Sequence, residues 1–128
     1  EAERALRRGI EIDHDRHETW LELAALYAQQ GRWPDAASLL IDLTAAAPEL
    51  ADAHVALGMA RLEEGERDQA LVSFRRALEC DGSHPLALLW LGRSSLMAND
   101  KATARVAYRR LKDADITLAR RLFYEIHR

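Results

Sequence analysis

A chain of 128 residues and 14.5 kDa is one domain of ordinary size, long enough to bury a core. Hydrophobic residues at 48% and charged residues at 30% exclude a disordered chain, and a formal net charge of −3 gives no bulk attraction to nucleic acid or to an anionic membrane. No apolar run approaches the roughly 20 residues of a bilayer span, "EAERALRRG" lacks the apolar core of a signal peptide, and the lone Cys80 excludes an internal disulfide, which suits a thiol-reducing, cytoplasmic setting.

The first element is a helix within residues 1–16, already in a helical pattern and without an initiating Met, as in a fragment or processed form. Asp15, with Glu18 three residues on, reads as the capping box of the next helix. That helix carries Trp20, Leu23, Ala24 and Tyr27 at i, i+3, i+4 and i+7, one apolar face. Gly31 is placed to end it, because glycine adopts the left-handed conformation without steric cost. Ala36, Leu40 and Leu43 stripe a third helix, and Pro48 suits the start of a fourth. In "LEEGERDQALVSF", Gly65 again separates two helical runs, the second striped by Ala70, Phe74, Ala77 and Leu78. Ser83, just before Pro85, suits another helix start. Asn99 stands where that helix should end, and Ala104 and Tyr108 mark its successor. A last helix shows Ala119, Leu122, Phe123 and Ile126 on one face and Arg120, Arg121, Glu125 and Arg128 on the other. No alternating run rich in Val, Ile and Thr suggests a strand.

Shifting the chain by 34 residues superposes these elements. Gly31, Gly65 and Asn99 fall in register, as do Ala36, Ala70 and Ala104, and Leu40, Phe74 and Tyr108. A helix–turn–helix of 34 residues reading W-x2-L-G-x2-Y, A-x3-F and P is the tetratricopeptide repeat pattern, and the chain resembles that family. The first full repeat has Trp20, Leu23, Ala24, Tyr27, Ala36, Leu40 and Pro48. The second has Leu57, Gly58, Ala70, Phe74 and Ala77, and the third has Leu91, Gly92, Ala104 and Tyr108. Departures fall at His54 and Leu88 for the aromatic, Arg61 and Ser95 for the Tyr, and Gly82 and Ile116 for the Pro. The resemblance implies an all-α, right-handed solenoid of antiparallel helix pairs over residues 1–128. Its parts are a half repeat at 1–16 (matching at Ala2, Leu6 and Gly9), full repeats at 17–50, 51–84 and 85–118, and a capping helix at 115–128 that shields the last repeat. Trp20, Leu23, Leu57, Leu91, Ala70 and Ala104 are expected to be buried.

Candidate chemistry is sparse. "DHDRHE", Asp13 to Glu18, gathers metal-ligand types, but it falls in a link where carboxylates serve helix N-termini. "HETWL" has Leu21 where a zincin has its second His. Cys80 is expected to pack inward as a small hydrophobe, leaving His84 without a nucleophile, and His54 is expected to be a packed substitute for the aromatic. The pairs Arg7–Arg8, Arg75–Arg76 and Arg109–Arg110 share one register on the outer ridge, but Asp42 interrupts the row and no aromatics interleave, so a solvated face is expected and not a phosphate track. No enzyme activity, metal, cofactor, nucleic acid or membrane insertion is expected.

The family's concave face, lined by the first helix of each repeat, holds peptides. That likeness implies a groove presenting Leu21 and Ala25 from the first repeat and Val55, Met59 and Leu62 from the second. The third would add Leu86, Leu89, Trp90, Arg93, Leu96 and Met97. The Lys/Asn/Arg clamp that some relatives use for a chaperone's C-terminal carboxylate is missing, its places taken by Leu21, Ala25, Ala56, Leu86 and Trp90. Trp90 is expected as an anchor off the inter-helix face, with Arg93 free to pair a carboxylate or carbonyl of the ligand. The expectation is an interaction module that binds an apolar peptide or helix segment as scaffold or chaperone-like adaptor. The alternative is a structural, regulatory or self-associating segment of a larger polypeptide, an enzyme among the candidates.

Overall fold

The computed structural model describes residues 1–128 and contains eight helices and no strand: α1 (Ala2–Ile12), α2 (His17–Gln29), α3 (Trp33–Ala46), α4 (Ala51–Glu63), α5 (Arg67–Cys80), α6 (Pro85–Met97), α7 (Lys101–Ala114) and α8 (Ile116–Ile126). Each helix packs on its neighbour in sequence. In addition α2 approaches α4, α4 approaches α6 and α6 approaches α8, whereas the backbones of α3, α5 and α7 stay farther apart. An inner layer in contact and an outer layer splayed apart make a curved right-handed solenoid with α2, α4 and α6 on its concave side.

The turns fall where the repeat places them. Gly31 (φ 71°), Gly65 (φ 81°) and Asn99 (φ 60°) are the residues with positive φ, and each reverses the chain inside a helix pair. The repeated alanines then let the pairs close: Ala36, Ala70 and Ala104 are at most 1% exposed. Leu23, Leu57 and Leu91 are buried beside them. Gly58 is required by close approach, since a Cβ there would lie 2.5 Å from the Phe74 ring. In the third pair the same notch, at Gly92, is filled by Leu122 of α8, whose Cδ2 would lie 2.6 Å from an added Cβ. Tyr108, the register equivalent of Phe74, is displaced to a half-buried position against Phe123, with ring centroids 5.6 Å apart.

Several local expectations are corrected. The capping box at Asp15 and Glu18 does not form. Helix α2 begins at His17 after Arg16 without a side-chain cap, and the Asp15 backbone N–H donates to the Asp13 carboxylate. Before α6 the cap is His84, not Ser83: its Nδ1 accepts from the Ala87 N–H at 3.3 Å, with Pro85 in the first turn. Trp20 is half-buried, because its indole N–H reaches out to the His14 carbonyl at 3.1 Å. Cys80 is exposed at the last position of α5, and its thiol donates to the Pro48 carbonyl at 3.4 Å. His54 is buried as expected, its Nε2–H donating to the same carbonyl at 2.9 Å.

At the C-terminal end Asp115 is the only residue between α7 and α8, and its carboxylate accepts from the Thr117 and Leu118 N–H groups. Ala119, Leu122 and Ile126 are buried against α6 and α7, while Phe123 is 41% exposed, which removes it from the covered stripe.

Candidate functional site

The concave surface is not uniform. Between the first two helix pairs lies an open cavity of about 260 Å³ lined by ten residues, all hydrophobic. Helix α2 contributes Leu21, Ala24, Ala25 and Ala28, α3 contributes Trp33, Ala36 and Leu40, and α4 contributes Ala56, Met59 and Ala60. Of the residues expected in a groove, Leu21, Ala25 and Met59 meet here.

The cavity exists because side chains are small where the next repeat has large ones. Adding 34 to Ala56, Leu40 and Ala28 gives Trp90, Phe74 and Leu62. One repeat on, Trp90 stacks on Phe74 with centroids 6.4 Å apart and planes 15° apart, and Leu62 packs against the same cluster. Aromatic filling there and alanine here leave this apolar pocket open in one repeat and its equivalent closed in the next. Reading the shifted sequence for side-chain volume as well as for motif would have exposed it. Trp33, just after the turn, carries no motif signal.

Other expected groove residues divide. Val55 (4% exposed) and Leu89 (3% exposed) belong to the core and present nothing to a ligand. Both sit where an inner helix meets its inner neighbour, so their expected outward face is already covered. Leu86 and Met97 are exposed, and Leu62, Trp90 and Leu96 are half-buried. Trp90 is therefore a packing residue as well as a surface one, contrary to its expected placement off the inter-helix face.

Arg93 is also not free. Its Nε lies 3.0 Å from both carboxylate oxygens of Glu125 on α8, its Nη2 lies 2.9 Å from Oε1, and its guanidinium sits 5.2 Å from the Trp90 ring centroid. A bidentate pair of this kind holds α8 to α6. Around it Trp90, Arg93, Leu96, Met97, Glu125 and Arg128 line a shallower, mixed concavity of about 490 Å³.

At the opposite end of the groove Asp13, Asp15, Arg16, His17, Glu18, Leu21, Leu50 and Asp52 line a cleft of about 550 Å³. Leu21 borders both this acidic cleft and the apolar cavity. Asp52 accepts from His84 Nε2 at 2.6 Å; because His84 Nδ1 is itself an acceptor, the ring proton sits on Nε2. No three His, Cys, Asp or Glu side chains come together as a metal-holding group.

In the "DHDRHE" segment residues 13–16 join α1 to α2, and His17 and Glu18 open α2. Charge is unevenly shared along the chain: residues 1–66 hold fourteen acidic and six basic side chains, residues 67–128 seven and twelve, giving −8 and +5.

On the convex side two of the six paired arginines are engaged within the chain. Arg7 bonds Glu3 and the Tyr27 hydroxyl, and Arg110 donates to the Gly82 carbonyl. Glu3 is the hub of the first pair. Its Oε1 accepts from Arg32 at 2.7 Å, and its Oε2 accepts from Arg7 at 3.0 Å and from the Tyr27 hydroxyl at 3.1 Å. Hydrogen bonds from Arg32 and then Arg7 hold its carboxyl at about 2, well below the ordinary 4.5. Burial pushes the Tyr27 phenol up.

No helix is long and apolar enough to cross a membrane. A tetratricopeptide repeat family model matches residues 21–85 and 55–119. None of the curated protein sequences matches. Among solved structures, PcrH in complex with the chaperone-binding region of PopD is 22% identical with a TM-score of 0.80, covering 90% of this chain and 91% of that one. The Yersinia enterocolitica type III secretion chaperone SycD, with a peptide of the translocator YopD, is 20% identical with a TM-score of 0.80, covering 91% and 96%. The TPR2B domain of yeast Sti1 in its pHsp70 complex is 17% identical with a TM-score of 0.80, covering 86% and 94%. At these identities the likeness is one of fold.

Proposed function

The chain belongs to the tetratricopeptide repeat family, and from that premise we propose that residues 1–128 work as one interaction module whose concave groove holds an apolar segment of another protein. Its role is that of a scaffold or chaperone-like adaptor, and its chemistry is binding alone. The observation that carries this reading is the cavity between α2, α3 and α4. Ten apolar side chains line an open concavity that no part of the chain fills, and apolar surface left in water costs ~25 cal/mol per Å². Structural neighbours that contain bound peptides, PcrH with PopD and SycD with YopD, support it. Without the Lys/Asn/Arg clamp, the groove favours internal apolar segments over a C-terminal carboxylate.

A pull-down from an array of overlapping peptides, probed with the labelled chain, tests the proposal. Apolar segments should be retained and should compete with one another for one site. Retention of polar or charged peptides alone, or of none, would overturn it.

A further inference from the structure

We infer that the ligand segment carries one leucine- or phenylalanine-sized anchor for the α2–α4 cavity and a lysine or arginine about two residues away for the adjoining acidic cleft. This rests on the groove reading and adds to it the class of segment selected.

The cavity defines the anchor. At about 260 Å³ it lies below the roughly 300–1,000 Å³ of small-molecule sites, and it lacks the few polar groups that orient a metabolite. It suits the tip of a side chain. The equivalent space one repeat later is closed, because Trp90 stacks on Phe74 there.

The cleft defines the neighbour. Leu21 is its shared wall, and Glu18 stands one helical turn from Leu21, where side chains are about 5–6 Å apart. Asp13, Asp15 and Glu18 take part in none of the ion pairs, which involve Glu3, Asp35, Asp52 and Glu125. Arg16 is the one full cation lining the cleft. The cleft thus has an unneutralised negative excess beside the apolar socket. An extended peptide rises ~3.3 Å per residue and repeats its facing every second residue. A cation two positions from the anchor therefore points to the same side and spans the distance to Glu18. Such partly exposed charges select and orient more than they hold, and salt screens them.

The test is fluorescence anisotropy with fluorescein-labelled peptides that share one apolar frame. Their central residue is Leu or Ala, and the residue two positions away is Lys, Gln or Glu. They are titrated against wild type, Ala56→Trp, Ala25→Trp and the double variant Asp15→Asn/Glu18→Gln, each checked for helicity. Ala56→Trp writes the next repeat's residue into the socket, and Ala25→Trp closes it from an exposed position should the first variant misfold.

With wild type, Leu should bind at least about tenfold more tightly than Ala. Lys should exceed Gln, and Gln exceed Glu, by a few-fold each at low salt, converging at high salt. The Trp variants should abolish the Leu-over-Ala difference. The Asp15→Asn/Glu18→Gln double variant should abolish only the Lys preference. Equal binding of Lys and Glu peptides by wild type, or a Lys preference that survives the double variant, would overturn the basic-flank inference. The groove reading would then still stand on the Leu-over-Ala difference. Binding that is indifferent to both Trp variants would overturn the socket, and failure of every apolar peptide to bind wild type would overturn the groove reading itself.

Discussion

Glu3 makes the polar link between α1 and the first helix pair, beside the apolar packing of Leu6 and Ile10. Arg7 of its own helix, Tyr27 of α2 and Arg32 of the turn before α3 reach it, and their hydrogen bonds favour its ionised form. A carboxyl lowered from 4.5 to about 2 stabilises the folded state fully above the higher value. That contribution is lost as pH falls from about 4.5 towards 2. Thermal melts over this range should show the wild type losing stability with acid, and Glu3→Gln should start lower and show a flatter profile. Parallel curves for the two proteins would remove Glu3 from its role as hub. Trp90 is the second residue to test. Its stacking on Phe74 means that Trp90→Ala should lower unfolding stability by about 2 kcal/mol, less than a fully buried aromatic would cost. Urea unfolding checks this, and a loss indistinguishable from zero would restore Trp90 as a surface anchor alone. The sequence placed Trp90 correctly on the inner helix but could not show which large side chain of the preceding outer helix would lie beneath it.

Helix ends and faces show where sequence reading succeeds and fails. Gly31, Gly65 and Asn99 were legible because a positive φ restricts residue type so strongly. The cap of α2 was not, because an Asp-x-x-Glu pattern also suits a carboxylate that bonds within its own loop. Helix α8 was legible as a cap from its stripe, but its angle was not. A one-residue connection through Asp115 turns it so that Leu122 enters the Gly92 notch and Phe123 swings outward. Deleting 117–128 would empty that notch, expose Leu88, Leu89 and Leu111, and remove the Glu125 partner of Arg93. A drop in melting temperature with aggregation is expected. Light scattering and calorimetry check this, and a monomeric truncation product with an unchanged melt would show α8 to be dispensable. In the same variant Tyr108 gains room to move towards Gly92, which near-ultraviolet circular dichroism would register.

At the scale of the whole molecule, the fold was nearly all legible because a 34-residue period repeats the same local rules three times. The groove was legible as a surface but not as a site. Motif positions repeat, whereas the socket arises from a break in repetition, alanines at 28 and 56 against Leu62 and Trp90. Val55 and Leu89 show the converse: the pattern puts them on the inner helices, and contact between those helices covers them. The backbones of α3, α5 and α7 lie farther apart than those of α2, α4 and α6, so the two faces of the solenoid should resist bending unequally. Bending it tighter or flatter changes the spacing of the inner helices and shifts the packing of α3 on α4 and of α5 on α6. In such a stack small rotations between helix pairs add along the length, as in a leaf spring. A side chain seated in the proposed socket would be a wedge at the root of that spring, and its binding is expected to change the curvature of the arc.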